Sequence, residues 1–175
     1  MKFTKYHKLG AYHWKMFDDV NTKYHRHAIR MKDWIKEKSC LDIGAGDGFI
    51  THYLGIKGVD NEIEAVRLAQ EKGADVILSD AYTLPFKDEE FESAFMGDVL
   101  EHMEFPKLAL REMKRVISKY FYIASPIPEG KDKFHYAEWD PGQLLELVEK
   151  EGFKLCEEML VVLEDKRIYA KFKKI

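Results

Sequence analysis

Apolar positions along this chain switch between two rhythms, and the switches mark out its elements. Tyr24, Ala28, Met31 and Ile35 recur at helical spacing with Trp34 beside them, which predicts an amphipathic helix over 23–38. Residues 39–44 (SCLDIG) then form a short apolar run ending in glycine, the pattern of a buried strand. The same alternation continues downstream. A brief helix is predicted over 48–54, a strand over 56–60, a helix over 61–73, and strands over 74–79 and 91–97. Asn61 with Glu64 three positions on has capping-box chemistry, and Gly73 suits a left-handed helix stop. A helix over 104–118 carries Pro106 in its first turn, and 120–124 (YFYIA) is a β-branched and aromatic strand. Asp140, Pro141 and Gln143 open another helix that Gly152 closes. Two last strands follow, 153–163 and 168–172, joined by the polar turn 164–166.

Strand–helix alternation of this kind predicts an α/β fold: a Rossmann-like, doubly wound, mostly parallel sheet of seven strands with helices on both faces. So short a link between the last two strands forbids a parallel crossover, so the last strand should run antiparallel. At 175 residues the chain has room for one domain, 1–175, with a helical segment 1–38 ahead of a core at 39–175. No apolar run approaches the ~20 residues of a membrane span, and the first residues lack a signal peptide's apolar stretch. Cys40 and Cys156 both fall in predicted strands and are read as small buried residues with reduced thiols in a cytoplasmic protein.

Charge adds one feature. Residues 1–38 hold ten Lys/Arg and four acids, a balance of +6, while the other 137 residues carry −9. Two readings stay open: a surface for phosphate or nucleic acid, or a solvated helix face.

The chemistry concentrates after the first strand, in 41–49 (LDIGAGDGF). Three alternating glycines there let a ligand approach the backbone closely. N–H groups at the helix start that follows favour an anionic or electron-rich group. Asp60, eighteen residues after Asp42 at the end of the next strand, can accept two hydrogen bonds from a ribose diol. A nucleoside-containing ligand at the carboxyl ends of the strands fits both. The spacing is G-x-G-x-G, and Phe49 stands where a dinucleotide fingerprint has its third glycine.

At this point the chain resembles the class I S-adenosylmethionine-dependent methyltransferases, whose first motif is an acid, one residue, then alternating glycines. The resemblance extends over 39–155: Asp60 matches the acid of the second motif, 80–86 (DAYTLPF) the third, and 91–102 (FESAFMGDVLEH) the fourth strand with its loop. Residues 135–153 match the late helix. The resemblance implies S-adenosyl-L-methionine as cofactor and S-adenosyl-L-homocysteine as product. It implies that Gly44 and Gly46 lie against the methionine part with Asp42 beneath, and that Asp60 takes the ribose with Asn61 next to adenine. It also implies that Asp80 and Ala81 contact adenine, and that the Gly97 and Asp98 backbone faces the ammonium group.

Methyl transfer is an in-line displacement, and a base is needed only for an acceptor that still carries its proton. Base candidates are Glu101, His102 and His135, each with a structural reading beside it. No His-x-x-x-His or Cys-x-x-Cys occurs, so no metal is expected. The expected acceptor is a small molecule, phosphorylated or nucleotide-linked, with 1–38 as a lid around Tyr12, His13, Trp14 and Lys15. The alternatives are an RNA methyltransferase using the basic segment, a homodimer face, and a non-catalytic partner subunit.

Overall fold

The computed structural model describes all residues except 1–4, 17–18, 20, 129–134 and 158. The chain forms two compact units, Met1–Asp80 and Ala81–Ile175.

In the first unit, helix α1 (Lys5–Leu9) and a single 3₁₀ turn (Trp14–Met16) precede α2 (Lys23–Trp34). Then β1 (Cys40–Ile43), α3 (Phe49–Leu54), β2 (Lys57–Asp60), α4 (Ile63–Glu71) and β3 (Val76–Leu78) alternate as the periodicity predicts. All three strands are parallel, with β2 between β1 and β3; Leu41 pairs with Lys57 and Gly58 with Val76. Leu41, Ile43, Val59 and Phe49 are fully buried, and burying each side chain of this size contributes about 1.5–3 kcal/mol. Helix α2 is capped by the Thr22 side chain accepting from the His25 N–H and ends at Trp34, before an extended Ile35 and four residues short of the prediction at 38. The capping box expected at Asn61 does not form. The N-cap of α4 is Glu62, without a side-chain cap bond, because Asp60 accepts the Glu62 N–H instead at 2.8 Å.

In the second unit, β4 (Phe91–Gly97) leads through a 3₁₀ turn (Leu100–His102) to α5 (Pro106–Val116) and a long β5 (Ile117–Pro126). Helix α6 (Pro141–Lys150) follows, then β6 (Phe153–Leu155), β7 (Leu160–Val162) and β8 (Arg167–Lys174). Strands β4 and β5 are parallel and β8 is antiparallel to β5, as the short final turn requires. Strands β6 and β7 both pair antiparallel with β8, so β8 alone in this unit runs against the rest. Helix α6 has the predicted capping box: Asp140 accepts from the Gln143 N–H, and the Gln143 side chain accepts from the Asp140 N–H.

One expectation needs correcting. The strand predicted over 153–163 is two strands, making eight among the described residues instead of seven. Leu155 faces Phe172 but Leu160 faces Tyr169, a register shift of two residues along one edge of β8. Cys156, at that break, is exposed and not buried, whereas Cys40 on β1 is buried as expected. No helix among the described residues is long and apolar enough to cross a membrane.

Candidate active site

The loop between β1 and α3 is built on backbone geometry. Gly44, Gly46 and Gly48 all have positive φ, at 82°, 57° and 74°. Gly48 is held by packing as well: a Cβ there would lie 2.6 Å from Ala74 Cβ and 2.7 Å from Ala69 Cβ. The Gly44 and Ala45 N–H groups donate to Val59 O, at 2.9 and 3.0 Å, which pins the loop to the end of β2.

Asp60 closes the connection. Its Oδ2 accepts the Gly46 N–H at 2.7 Å, and its Oδ1 accepts the Glu62 N–H at 2.8 Å. The Asn61 N–H also bonds this carboxylate, which has about four lone-pair sites, so little more than one remains for a hydroxyl donor. Burial raises the Asp60 carboxyl above the usual range, and the N–H groups of Glu62 and Gly46 oppose that rise. Asp42, on β1, is fully buried and accepts from Thr51 Oγ1 at 2.7 Å. Desolvation pushes its carboxyl up to about 7; the Thr51 bond works against this and the charge of Asp60 adds to it. The two acids that the sequence singled out therefore share one electrostatic environment under the glycine loop.

Residues 5–16 dock on this loop. His13 donates its N–H to Asp47 Oδ2 at 3.1 Å, its Nδ1 lies 2.9 Å from Asp47 Oδ1, and Trp14 Nε1 donates to Asp47 O at 2.7 Å. Tyr6 is buried against Ala65 and Leu68, and its hydroxyl lies 2.2 Å from where a Cβ on Gly46 would be. Only glycine fits at 46, on both backbone and contact grounds. Burial, together with Tyr12, Asp47 and Asp60, holds the Tyr6 phenol well above its ordinary pKa. Tyr6 stacks on Tyr12, with ring centroids 5.4 Å apart, and His13 packs edge-on against Tyr24 at 4.7 Å. Sequence reading pointed to Tyr12, His13, Trp14 and Tyr24 but missed Tyr6 and Asp47. Asp47 sits between two glycines with no local partner to mark it, and Tyr6 lies in a five-residue helix with no apolar period.

Asn61 and Asp80 are exposed, and Ala81 is half-buried. The Ser79 N–H donates to Asp60 O at 2.9 Å, fixing where β3 leaves the sheet.

In the second unit, the LPF part of the third motif is a packed turn. Arg115 Nη2 donates to Leu84 O at 3.1 Å and Nη1 to Phe86 O at 2.8 Å, while the Leu84 N–H donates to Glu112 at 2.8 Å. Gly97 ends β4 opposite Ala124 of β5. Asp98 has φ 54° and donates its N–H to Ala124 O at 2.9 Å. Its carboxylate accepts Arg167 Nε at 3.0 Å and also pairs with Nη2, so the Asp98 side chain holds a guanidinium that is only 4% exposed.

The fold also brings His135 to the adjacent pair Glu101 and His102, 33 residues earlier in the sequence. One ligand-type atom from each lies within 4.8 Å of the other two. The His102 and His135 rings meet edge to face with centroids 4.9 Å apart. His135 Nδ1 lies 2.8 Å from Glu138 Oε1, and the Tyr136 N–H donates to Glu101 O at 2.8 Å. Glu101 is 1% exposed and neither carboxyl oxygen has a hydrogen-bond partner among the described residues, a cost of about 1–3 kcal/mol or more. Burial, and then the charge of Asp98, raise its carboxyl well above the usual carboxylate range. Burial thus favours the neutral form of Glu101. His102 and His135 are half-buried and remain candidates for the base.

A strand–glycine loop–helix unit with an acid at the end of the next strand, in a mostly parallel sheet whose last strand is antiparallel, is the architecture of the class I S-adenosylmethionine-dependent methyltransferases. Residues 41–123 match the methyltransferase domain family model, in keeping with that architecture. S-adenosylmethionine is the cofactor of that family. Over 106 residues, 60% of this chain and 52% of the relative, the chain is 37% identical to an uncharacterised protein of Methanocaldococcus jannaschii. Over 112 residues, 58% of this chain and 27% of the relative, it is 28% identical to a tRNA (carboxymethyluridine(34)-5-O)-methyltransferase of Arabidopsis thaliana. The chain thus spans about half or less of the length of these curated relatives. The solved structure of a SAM-dependent methyltransferase from Aquifex aeolicus shares the fold, with TM-score 0.75 at 20% identity over 94% of this chain and 98% of that one.

Proposed function

We propose that this chain transfers a methyl group from S-adenosylmethionine to an oxygen or nitrogen of a small molecule. The observation that carries the reading is the bond from the Gly46 N–H to Asp60 at 2.7 Å, which joins the left-handed glycine loop to the acid at the end of β2. The donor set fits the cofactor. Asp60 keeps acceptor capacity for a ribose hydroxyl, the backbone at Gly44 and Gly46 offers a close approach to the methionine part, and Asp42 lies beneath as a counter-charge for a cation. Asn61, Asp80 and Ala81 are assigned to the adenine, and the Gly97 and Asp98 backbone to the ammonium. When bound, the cofactor supplies an electrophilic methyl group on a positive sulfur that departs as a neutral thioether.

Tyr6 and the His13–Asp47–Trp14 contacts hold residues 5–16 on the loop, which supports a lid role for this segment. An acceptor that keeps its proton needs a base, and His102 and His135 are the side chains suited to it near neutral pH. A small acceptor is favoured by short connections. Only 14 residues join β5 to α6 and four join β7 to β8, so no inserted substrate domain lies at either place.

A second reading is methyl transfer to tRNA. It is favoured by the Arabidopsis relative and by the +6 balance of residues 1–38. One assay separates them: S-adenosylhomocysteine release is followed with a panel of hydroxyl, amine and phosphorylated small molecules, and in parallel with bulk tRNA. Turnover on a small molecule supports the first reading, turnover on tRNA alone supports the second, and binding without turnover on either favours the partner-subunit role. Asp60→Ala is expected to weaken cofactor binding about a hundredfold, its charge-assisted bonding to the ribose being lost.

A further inference from the structure

Glu101, His102 and His135 make a group that methyl transfer alone does not explain. The Glu101 carboxyl is 1% exposed, and among the described residues neither of its oxygens has a hydrogen-bond partner. A buried acid in a native fold ordinarily has donors facing it, and a missing partner calls for a physical reason. What stands close to it is two imidazoles. The three ligand-type atoms lie within 4.8 Å of one another, and donor atoms around one small divalent ion sit about 3.4 Å apart. Modest side-chain rotation closes that gap.

The surroundings are those of a held ligand set. His135 Nδ1 is engaged by Glu138 Oε1 at 2.8 Å, which leaves Nε2 as the nitrogen for an ion. A carboxylate behind a ligating imidazole fixes its tautomer and its orientation. The His135 segment is also tied to the turn bearing the other two residues, through the Tyr136 N–H and Glu101 O at 2.8 Å. Asp98, the nearest acid before them in sequence, is committed to Arg167 and stays out of the set.

We propose that Glu101, His102 and His135 form a divalent transition-metal site of zinc type, with Glu138 as the positioning residue for His135. Two imidazoles and one carboxylate suit zinc and its neighbours, whereas magnesium and calcium take oxygen ligands almost throughout. Three protein ligands leave a fourth position open to water or to an oxygen or nitrogen of a substrate. An imidazole nitrogen bound to an ion cannot also accept a proton, so the loaded site orients an acceptor by coordination and not through a histidine base. Linear spacing hides the set, because His135 lies 33 residues after His102.

The test uses the full chain without a polyhistidine tag, stripped with a chelator and titrated with zinc chloride by calorimetry, and with cobalt chloride by visible absorption. One equivalent of zinc per chain, and cobalt d–d bands of a low-coordinate site, are expected. His102→Ala and His135→Ala, checked for folding by circular dichroism, should abolish stoichiometric uptake. Glu138→Gln keeps all three ligands and should weaken it about 10–100-fold. Cys156→Ser and His7→Ala remove exposed ligands elsewhere and should change nothing. Failure of the parent chain to take up one equivalent, or uptake unaltered in both histidine variants, overturns the site. S-adenosylhomocysteine binding is measured on the same stripped protein; if it persists without metal uptake, the metal site fails and the methyltransferase reading stands.

Discussion

Asp42 links pH to stability in a way that one substitution isolates. Its carboxyl loses its proton near pH 7 in the fold, chiefly because burial penalises the charge. In the unfolded chain the same group titrates near pH 4. Between those values the folded state holds the extra proton, so stability falls as pH rises through the window and levels off above it. Each pH step inside the window costs about 1.4 kcal/mol, and between pH 5 and pH 8 the loss is about 2.6 kcal/mol. Asp42→Asn removes the titration but keeps an oxygen to accept from Thr51 Oγ1. Asp60, Tyr6 and Glu101 are also raised, but they are present in both proteins and largely cancel in the difference. The assay is urea unfolding of parent and variant at pH 5, 6, 7 and 8, followed by circular dichroism. The variant should gain about 2.6 kcal/mol on the parent across that range. Two parallel curves would refute the reasoning, because they would mean that Asp42 ionises in the fold as it does in water.

Gly48→Ala places a side chain at φ 74° and 2.6–2.7 Å from two buried alanines, and should cost roughly 2–5 kcal/mol in strain and overpacking. Gly55→Ala, at φ 68° with nothing within 4 Å, should cost only the strain part, about 1–2 kcal/mol; equal losses would show that the packing at Gly48 carries no weight. Asp98→Ala leaves the buried Arg167 guanidinium without its carboxylate and should cost about 3–5 kcal/mol in the same unfolding assay, a loss under 1 kcal/mol counting against the pair. Asp60→Ala should cut cofactor affinity about a hundredfold in calorimetry, and an unchanged affinity would remove Asp60 from the site.

The strands and helices were legible because periods of two and of three to four residues alternate cleanly, and because glycine and proline punctuate them. Asp140 with Gln143 encodes its helix start locally, and the capping box is there. The break between β6 and β7 was not legible: within 153–163 only Glu157 and Glu158 interrupt the strand pattern there, and the two-residue register shift is set by pairing with a strand that comes later. Helix α1 escaped because five residues show no period, and tertiary contact of Tyr6 with Ala65 and Leu68 holds it. In the site, the glycine loop and the acids at 42 and 60 were readable because backbone geometry ties those residue types to those positions. Asp47 was not, since its bonds reach back 33 and 34 residues to Trp14 and His13. The pairing of His102 with His135 was equally invisible to any local pattern, although each had been singled out alone.

The central claim is that the β1 glycine loop and Asp60 hold an adenosyl-amino-acid ligand. Calorimetric titration of the chain with S-adenosylhomocysteine, with NAD as the competing nucleotide, tests it most directly. One equivalent bound, with no heat from NAD, is the predicted result; no saturable binding of S-adenosylhomocysteine, or binding of NAD in its place, contradicts it.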